Sequence, residues 1–76
     1  MQQESDEEFQ KRLGLRIREL RRKRGWSQEA FAHLCGLDRS YMGSVERGER
    51  NAALSTLRAV AKALGVTLSR MFKSLD

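Results

Sequence analysis

The chain has 76 residues, enough for one small domain that buries only about 60 % of the surface its unfolded form exposes. With 39 % hydrophobic and 33 % charged residues it is neither a disordered chain nor a membrane protein, since no apolar run approaches the roughly 20 residues of a spanning helix. An acidic N-terminus unlike a secretion signal and a single cysteine predict a cytoplasmic protein without a disulfide, and the net charge is +5.

The charge is unevenly distributed along the chain. Four acidic residues lie within residues 1–8, whereas residues 9–76 carry 15 basic and 6 acidic side chains. We interpret residues 1–8 as an acidic tail that frays, and as a candidate contact for RNA polymerase. Residues 9–76 form the domain. Its basic charge favours a nucleic-acid partner over a membrane, because no basic amphipathic helix has a broad aromatic face; a solvated charged surface is the alternative.

Two helices are predicted in the first half of the chain. From Phe9 onward, apolar residues recur every three or four positions, which predicts an amphipathic helix over residues 7–24. Gly25 suits the end of this helix. Ser27 is the expected N-cap of a second helix over residues 28–35.

Three more helices follow. A third helix is predicted over residues 39–47, with Asp38 as its N-cap and Gly48 at its end. A fourth begins at residue 54 or 55 and ends at Gly65, and a last one begins near residues 67–69. The residues expected to be buried in the second, third and fourth helices are Phe31, Leu34, Cys35, Met42, Val45, Leu57, Val60, Ala61 and Leu64. Since no segment alternates like a strand, the predicted fold class is all-α, a compact bundle of about five helices.

The second and third helices have the spacing of a helix-turn-helix motif over residues 28–47. The turn between them is three or four residues long and contains Gly36, at a position that favours a left-handed backbone. Ala32 lies where the two helices must cross closely. Each feature is weak evidence by itself, but their joint spacing is specific.

A family resemblance then becomes visible. Residues 26–66, WSQEAFAHLCGLDRSYMGSVERGERNAALSTLRAVAKALGV, resemble the Cro and lambda-repressor-like (Xre-type) helix-turn-helix family. Within it, LDRSYMGSVERGERN most resembles the small controller proteins of restriction-modification systems, although other one-domain regulators share similar stretches. The resemblance implies a transcriptional regulator that binds double-stranded DNA as a homodimer on a pseudo-palindromic operator, with the third helix in the major groove.

One face of the third helix is polar and basic. Helical periodicity places Met42 and Val45 inward and a set of candidate base-reading residues on the opposite face. That set is Arg39, Ser40, Gly43 and Ser44. Arg39 is the first candidate, because a guanidinium can bind O6 and N7 of guanine, and a phosphate contact is its alternative. Gly43 either lets the helix approach the groove or relieves crowding.

Other residues are candidates for contacts to the DNA backbone or for a structural role. By resemblance, Gln28 corresponds to a phosphate-binding position at the start of the second helix. The further phosphate candidates are Tyr41, Arg47, Arg50 and Asn51, and packing between helices is an alternative for Tyr41. The resemblance also places Arg21 and Glu46 together as a partly buried ion pair; an exposed arginine is the alternative.

The end of the chain carries an apolar stripe that we interpret as a dimer interface. It comprises Leu68, Met71, Phe72 and Leu75, part of which must complete the core. His33 and Cys35 point in different directions on their helix, so no metal site is expected, and no acid, base and nucleophile combine into a catalytic site. We therefore expect no enzyme activity, no cofactor and no small-molecule ligand. The alternative function is that of an antitoxin whose main role is protein–protein binding.

Overall fold

The computed structural model describes residues 4–73 and 75, and the regular structure within them is entirely helical. Its elements in chain order are α1 (Asp6–Lys23), α2 (Gln28–Cys35), α3 (Arg39–Glu46), α4 (Leu54–Leu64) and α5 (Leu68–Met71). The predicted all-α bundle of five helices is confirmed, and the predicted helix ends lie within one or two residues of those observed. None of the helices in this part of the chain is long and apolar enough to cross a membrane.

The acidic N-terminal segment begins α1 rather than fraying. The Ser5 hydroxyl accepts a hydrogen bond from the Glu8 backbone N–H at 3.1 Å, and the Glu8 carboxylate accepts one from the Ser5 backbone N–H at 3.4 Å, which forms a capping box. Glu4 also pairs with Arg12 at 3.0 Å. The structure thus gives no support to fraying of residues 4–8: Ser5 and Glu8 cap the helix, and the acidic side chains of its first turn suit its dipole. Residues 1–3 lie outside the described part of the chain.

The core draws side chains from all five helices. Its fully buried large side chains are Ile17, Phe31, Met42, Val60, Leu64 and Met71. Trp26, in the loop before α2, stacks on Phe31 with ring centroids 5.8 Å apart, so it packs back onto α2. Phe9 and Phe72 stack in the same way at 6.3 Å and connect α1 to the end of α5.

Two glycines allow α1 to pack closely against the end of α3. A Cβ on Gly14 would lie 2.4 Å from the Glu46 carbonyl oxygen, and a Cβ on Gly48 would lie 2.5 Å from the Lys11 Cα. Both distances are far shorter than van der Waals contact. The backbones of α1 and α3 therefore meet where neither position has room for a side chain.

One expected core residue is exposed, and the apolar stripe at the end of the chain divides between core and surface. Leu34 is 55 % exposed, because α2 faces the core between Phe31 and Ala32 and Leu34 lies about 100° or more around the helix from that direction. Met71 and Leu75 are 0 % and 5 % exposed in the single chain. These two side chains belong to the core and are not available for the dimer contact to which the stripe was assigned.

Candidate nucleic-acid interface

The connection between α2 and α3 is a tight turn with satisfied helix ends. The Ser27 hydroxyl accepts from the Ala30 N–H at 3.0 Å, and the Asp38 carboxylate accepts from the Ser40 N–H at 3.1 Å. Gly36 ends α2 with φ of 70°, a left-handed conformation that disfavours other residues. The turn thereby fixes the direction in which α3 leaves α2.

A buried ion pair fixes α3 relative to α1. Arg21 Nε and Nη2 donate to the two Glu46 carboxylate oxygens at 2.8 and 3.0 Å, and Arg21 Nη1 donates to the Trp26 carbonyl oxygen at 2.9 Å. Arg21 is 8 % exposed and Glu46 4 % exposed. The ion pair that the resemblance implied is thus present, and both groups are hydrogen-bonded as buried charges require. Arg21 serves the structure of the motif and does not extend to its outer surface.

The Glu46 carboxylate also positions Gln28. Gln28 Nε2 donates to Glu46 Oε1 at 3.1 Å, so the carboxylate links α1, the first residue of α2 and α3. A side-chain amide has two N–H donors, and this bond occupies one of them. The partly buried Gln28 amide is therefore held in one orientation at the N-terminus of α2.

The first turn of α3 forms the exposed part of the predicted base-reading face. Arg39 and Ser40 are both exposed. They border a shallow depression of about 250 Å³, whose other sides are formed by Gln28, Gly43 and Arg47. Side chains from two helices thus meet at one opening, and its chemistry is that of hydrogen-bond donors and positive charge.

Gly43 lies beneath this depression and is itself buried. A Cβ on Gly43 would lie 3.0 Å from Arg47 Nη1 and 3.2 Å from Gln28 Oε1. Because Gly43 has no side chain, the Gln28 and Arg47 side chains can lie against this part of α3. Both of them are candidates for backbone contacts with DNA.

The structure contradicts the expectation that Ser44 reads bases. Ser44 is 7 % exposed, and its hydroxyl donates to the Tyr41 carbonyl oxygen at 2.7 Å while accepting from Arg50 Nε at 3.3 Å. The segment after α3 folds back so that the Arg50 guanidinium carbon lies 5.7 Å from the centre of the Tyr41 ring. Ser44 consequently anchors Arg50 beside a half-buried Tyr41.

The remaining phosphate candidates lie at the end of α3. Arg47 caps α3 and pairs with Glu49 at 3.1 Å, with both side chains about 60 % exposed. Asn51 is exposed in the loop that follows. An ion pair this exposed contributes about 0–1 kcal/mol, so Arg47 can exchange Glu49 for another anion at small cost.

Two other polar groups have structural surroundings. Arg24 donates to the Leu64 carbonyl oxygen at the end of α4, and its guanidinium carbon lies 6.0 Å from the Trp26 ring centre. Burial raises the pKa of the Cys35 thiol from 9.0 to about 11, so it is a packing residue and a poor nucleophile at neutral pH. Within residues 4–73 and 75, no group of three or more His, Cys, Asp and Glu residues could hold a metal ion.

Two short helices joined by a left-handed glycine turn, with the second presenting an exposed polar first turn, define a helix-turn-helix domain. The chain belongs to the helix-turn-helix family HTH_3, whose model matches residues 17–71.

Several relatives are named as control proteins. The chain is 41 % identical over 66 residues to control protein C.MunI of a Mycoplasma species, which covers 86 % of this chain and 89 % of the relative. It is 46 % identical over 59 residues to control protein C.SmaI of Serratia marcescens, covering 78 % of this chain and 70 % of the relative. A hypothetical transcription factor of Neisseria meningitidis is 50 % identical over 54 residues, and the match spans 71 % of this chain and 51 % of that longer relative.

Solved structures agree with this assignment. The crystal structure of the restriction-modification controller protein C.AhdI from Aeromonas hydrophila superposes with a TM-score of 0.80 at 48 % identity, covering 82 % of this chain and 94 % of that one.

Proposed function

We propose that this protein is a transcriptional regulator of the restriction-modification controller type, which binds a specific double-stranded DNA sequence as a homodimer in the cytoplasm. The observation that carries the proposal is the exposed first turn of α3, where Arg39 and Ser40 project beside Gln28 of α2. Relatives named as control proteins match most of the chain and support the same assignment.

Base reading is assigned to the N-terminal residues of α3. In helix-turn-helix proteins the second helix enters the major groove with its N-terminal residues against the base edges. Arg39 supplies a bidentate donor suited to guanine, and Ser40 supplies a hydroxyl that suits any base. Ser44 is not part of this assignment because its hydroxyl is engaged inside the domain.

Backbone binding is assigned to the residues that surround this turn. Gln28 combines a free amide N–H with the backbone donors at the N-terminus of α2, an arrangement that favours a phosphate. Arg47, Arg50 and Asn51 contribute a second contact at the end of α3, and Arg50 orients the Tyr41 ring beside it. Such contacts release counterions, so affinity should fall steeply with salt.

The dimer contact is assigned to the half-buried part of the apolar stripe. Leu68 and Phe72 remain partly exposed after Met71 and Leu75 enter the core, and Phe9 extends this patch through its stacking on Phe72. Two-fold pairing would place two copies of α3 about 34 Å apart, one turn of DNA. Asp6 and Glu7 in the exposed first turn of α1 are the candidate contact for RNA polymerase.

Footprinting on the DNA upstream of the protein's own gene tests this function. We expect two protected half-sites related by two-fold symmetry, with centres about 34 Å apart, and a stoichiometry of two chains per site. Uniform protection without any preferred sequence would contradict the proposal.

A further inference from the structure

A basic groove runs along α1 and opens beside the proposed DNA-binding surface. It has a volume of about 590 Å³, and its α1 side is formed by Lys11, Leu15 and Arg18 together with the buried Arg21. Its opposite side includes Gln28 and Arg47, the two side chains that border the depression next to α3. The groove and the proposed DNA surface are thus continuous.

The α1 residues of the groove share one exposed stripe. Lys11, Leu15 and Arg18 are separated by steps of four and three residues, which places them on one side of the helix. Lys11 and Arg18 are exposed, and the ion pairs among residues 4–73 and 75 involve other arginines, namely Arg12, Arg21 and Arg47. Their backbone positions lie about 10 Å apart along α1, far enough for the two side chains to meet different anions.

The position of this stripe relative to α3 is fixed by close packing. Gly14 lies on the adjacent side of α1 against the Glu46 carbonyl, and Gly48 lies against the Lys11 backbone. Because these contacts join main chains, α1 cannot shift along α3 without breaking them. When α3 enters the major groove of DNA, Lys11 and Arg18 are therefore brought to one defined position relative to the DNA.

We infer that Lys11 and Arg18 form a second phosphate-binding site, which holds the DNA backbone next to the stretch bound by Gln28 and Arg47. The inference rests on the proposed function and extends the contact surface beyond the helix-turn-helix motif. A polyanion fits the groove better than an acidic protein segment, because the groove continues directly into the surface assigned to DNA. Two acidic residues also line the groove: Glu46, whose carboxylate is held by Arg21 and Gln28, and Glu49, which pairs with Arg47 in the absence of DNA.

The salt dependence of binding tests this site. The variant carrying Lys11→Gln and Arg18→Gln should bind a duplex selected by the wild-type protein on the order of tenfold more weakly, with a slope of log affinity against log salt that is lower by about 2. Ethylation interference should identify one or two phosphates per half-site whose modification weakens the wild-type protein and leaves this variant unaffected. The sequence preference should be unchanged, because phosphate contacts carry no base information.

A control variant with the same loss of charge carries Lys23→Gln and Lys62→Gln, both exposed residues that lie outside the groove. It should keep the wild-type slope and the wild-type interference pattern. An equal slope reduction in both variants, or an unchanged interference pattern in the first, would overturn the second site while leaving the proposed function intact. If the wild-type protein showed no sequence preference at all, the proposed function itself would fail. Equal midpoints of thermal unfolding for the wild-type protein and both variants would show that the difference in binding does not come from a loss of stability.

Discussion

At the scale of single residues, Arg39 is exposed and its backbone position is fixed. It is the first residue of α3, immediately after the Asp38 cap, so its backbone cannot rotate freely. Replacing Arg39 by Ala should weaken binding to the preferred duplex by about 1–3 kcal/mol and hardly change binding to random duplexes. Fluorescence anisotropy on both duplexes measures this difference. Equal weakening on both would assign Arg39 to the phosphate backbone instead.

A second prediction at this scale concerns Gly43. Gly43→Ala should raise the free energy of unfolding by up to about 1 kcal/mol through helix propensity, because the Arg47 and Gln28 atoms that its Cβ would meet lie at the ends of side chains and need to shift by only a few tenths of an ångström. The same change should weaken DNA binding, since it displaces Gln28 and Arg47. The loss should approach the 1.5–3 kcal/mol of roughly one hydrogen bond to a charged group.

A double-mutant cycle identifies the cause of this loss. If Gly43→Ala acts through Gln28, its effect on binding should shrink in a Gln28→Ala background. Improved stability with unchanged binding would mean that Gly43 only relieves crowding within α3.

At the scale of elements, the close packing of α1 against α3 at Gly14 requires the absence of a side chain there and not an unusual backbone conformation. Gly14→Ala places a Cβ against two carbonyl oxygens that cannot yield, at 2.4 and 2.6 Å, so we expect a loss of stability of about 1–3 kcal/mol. Thermal denaturation measures it, at roughly 4–8 °C per kcal/mol for a domain of this size. Wild-type stability in Gly14→Ala would contradict the observed packing.

Gly36 provides the matched control for this prediction. Nothing lies within 4 Å of a Cβ at Gly36, but its φ is +70°. Asn adopts this left-handed conformation readily, so Gly36→Asn should retain most of the stability. The corresponding small substitution at Gly14, Gly14→Ser, should not be tolerated, because the restriction there is steric.

The comparison of sequence and structure also belongs to this scale. Periodicity and caps predicted the helices well, because Ser27, Asp38 and the turn glycines act on their own neighbours. The close packing at Gly14 has a signal in the sequence, because Gly14 lies three and seven residues before Ile17 and Arg21, on the inward face of α1.

Ser44 could not be assigned from periodicity alone. Its burial depends on the loop after α3, which brings Arg50 back over Tyr41, and helical spacing contains no information about that fold. The exposure of Leu34 has a similar origin, because tertiary packing selects which side of a short helix faces the core. Helical periodicity thus predicts the exposed first turn of α3, but it does not predict the burial of Ser44 by the segment that follows α3.

At the scale of the whole molecule, one strongly basic domain carries all the groups assigned to DNA. The exposed turn of α3, the start of α2 and the basic groove of α1 are held together by the Arg21–Glu46 pair, by the bond from Gln28 to Glu46 and by close main-chain packing. Rigid placement of reading and backbone-binding groups is what sequence discrimination requires, since phosphate contacts fix the register in which bases are read.

The most direct test is the ratio of affinities for a selected and a random duplex at an ionic strength of about 0.15 M. A duplex is first selected by the wild-type protein from a random library, and both affinities are then measured by titration with the same protein. The structure predicts a preference on the order of 10³-fold or more for the selected duplex. Equal affinity for the two duplexes would contradict the assignment of α3 as a reading element.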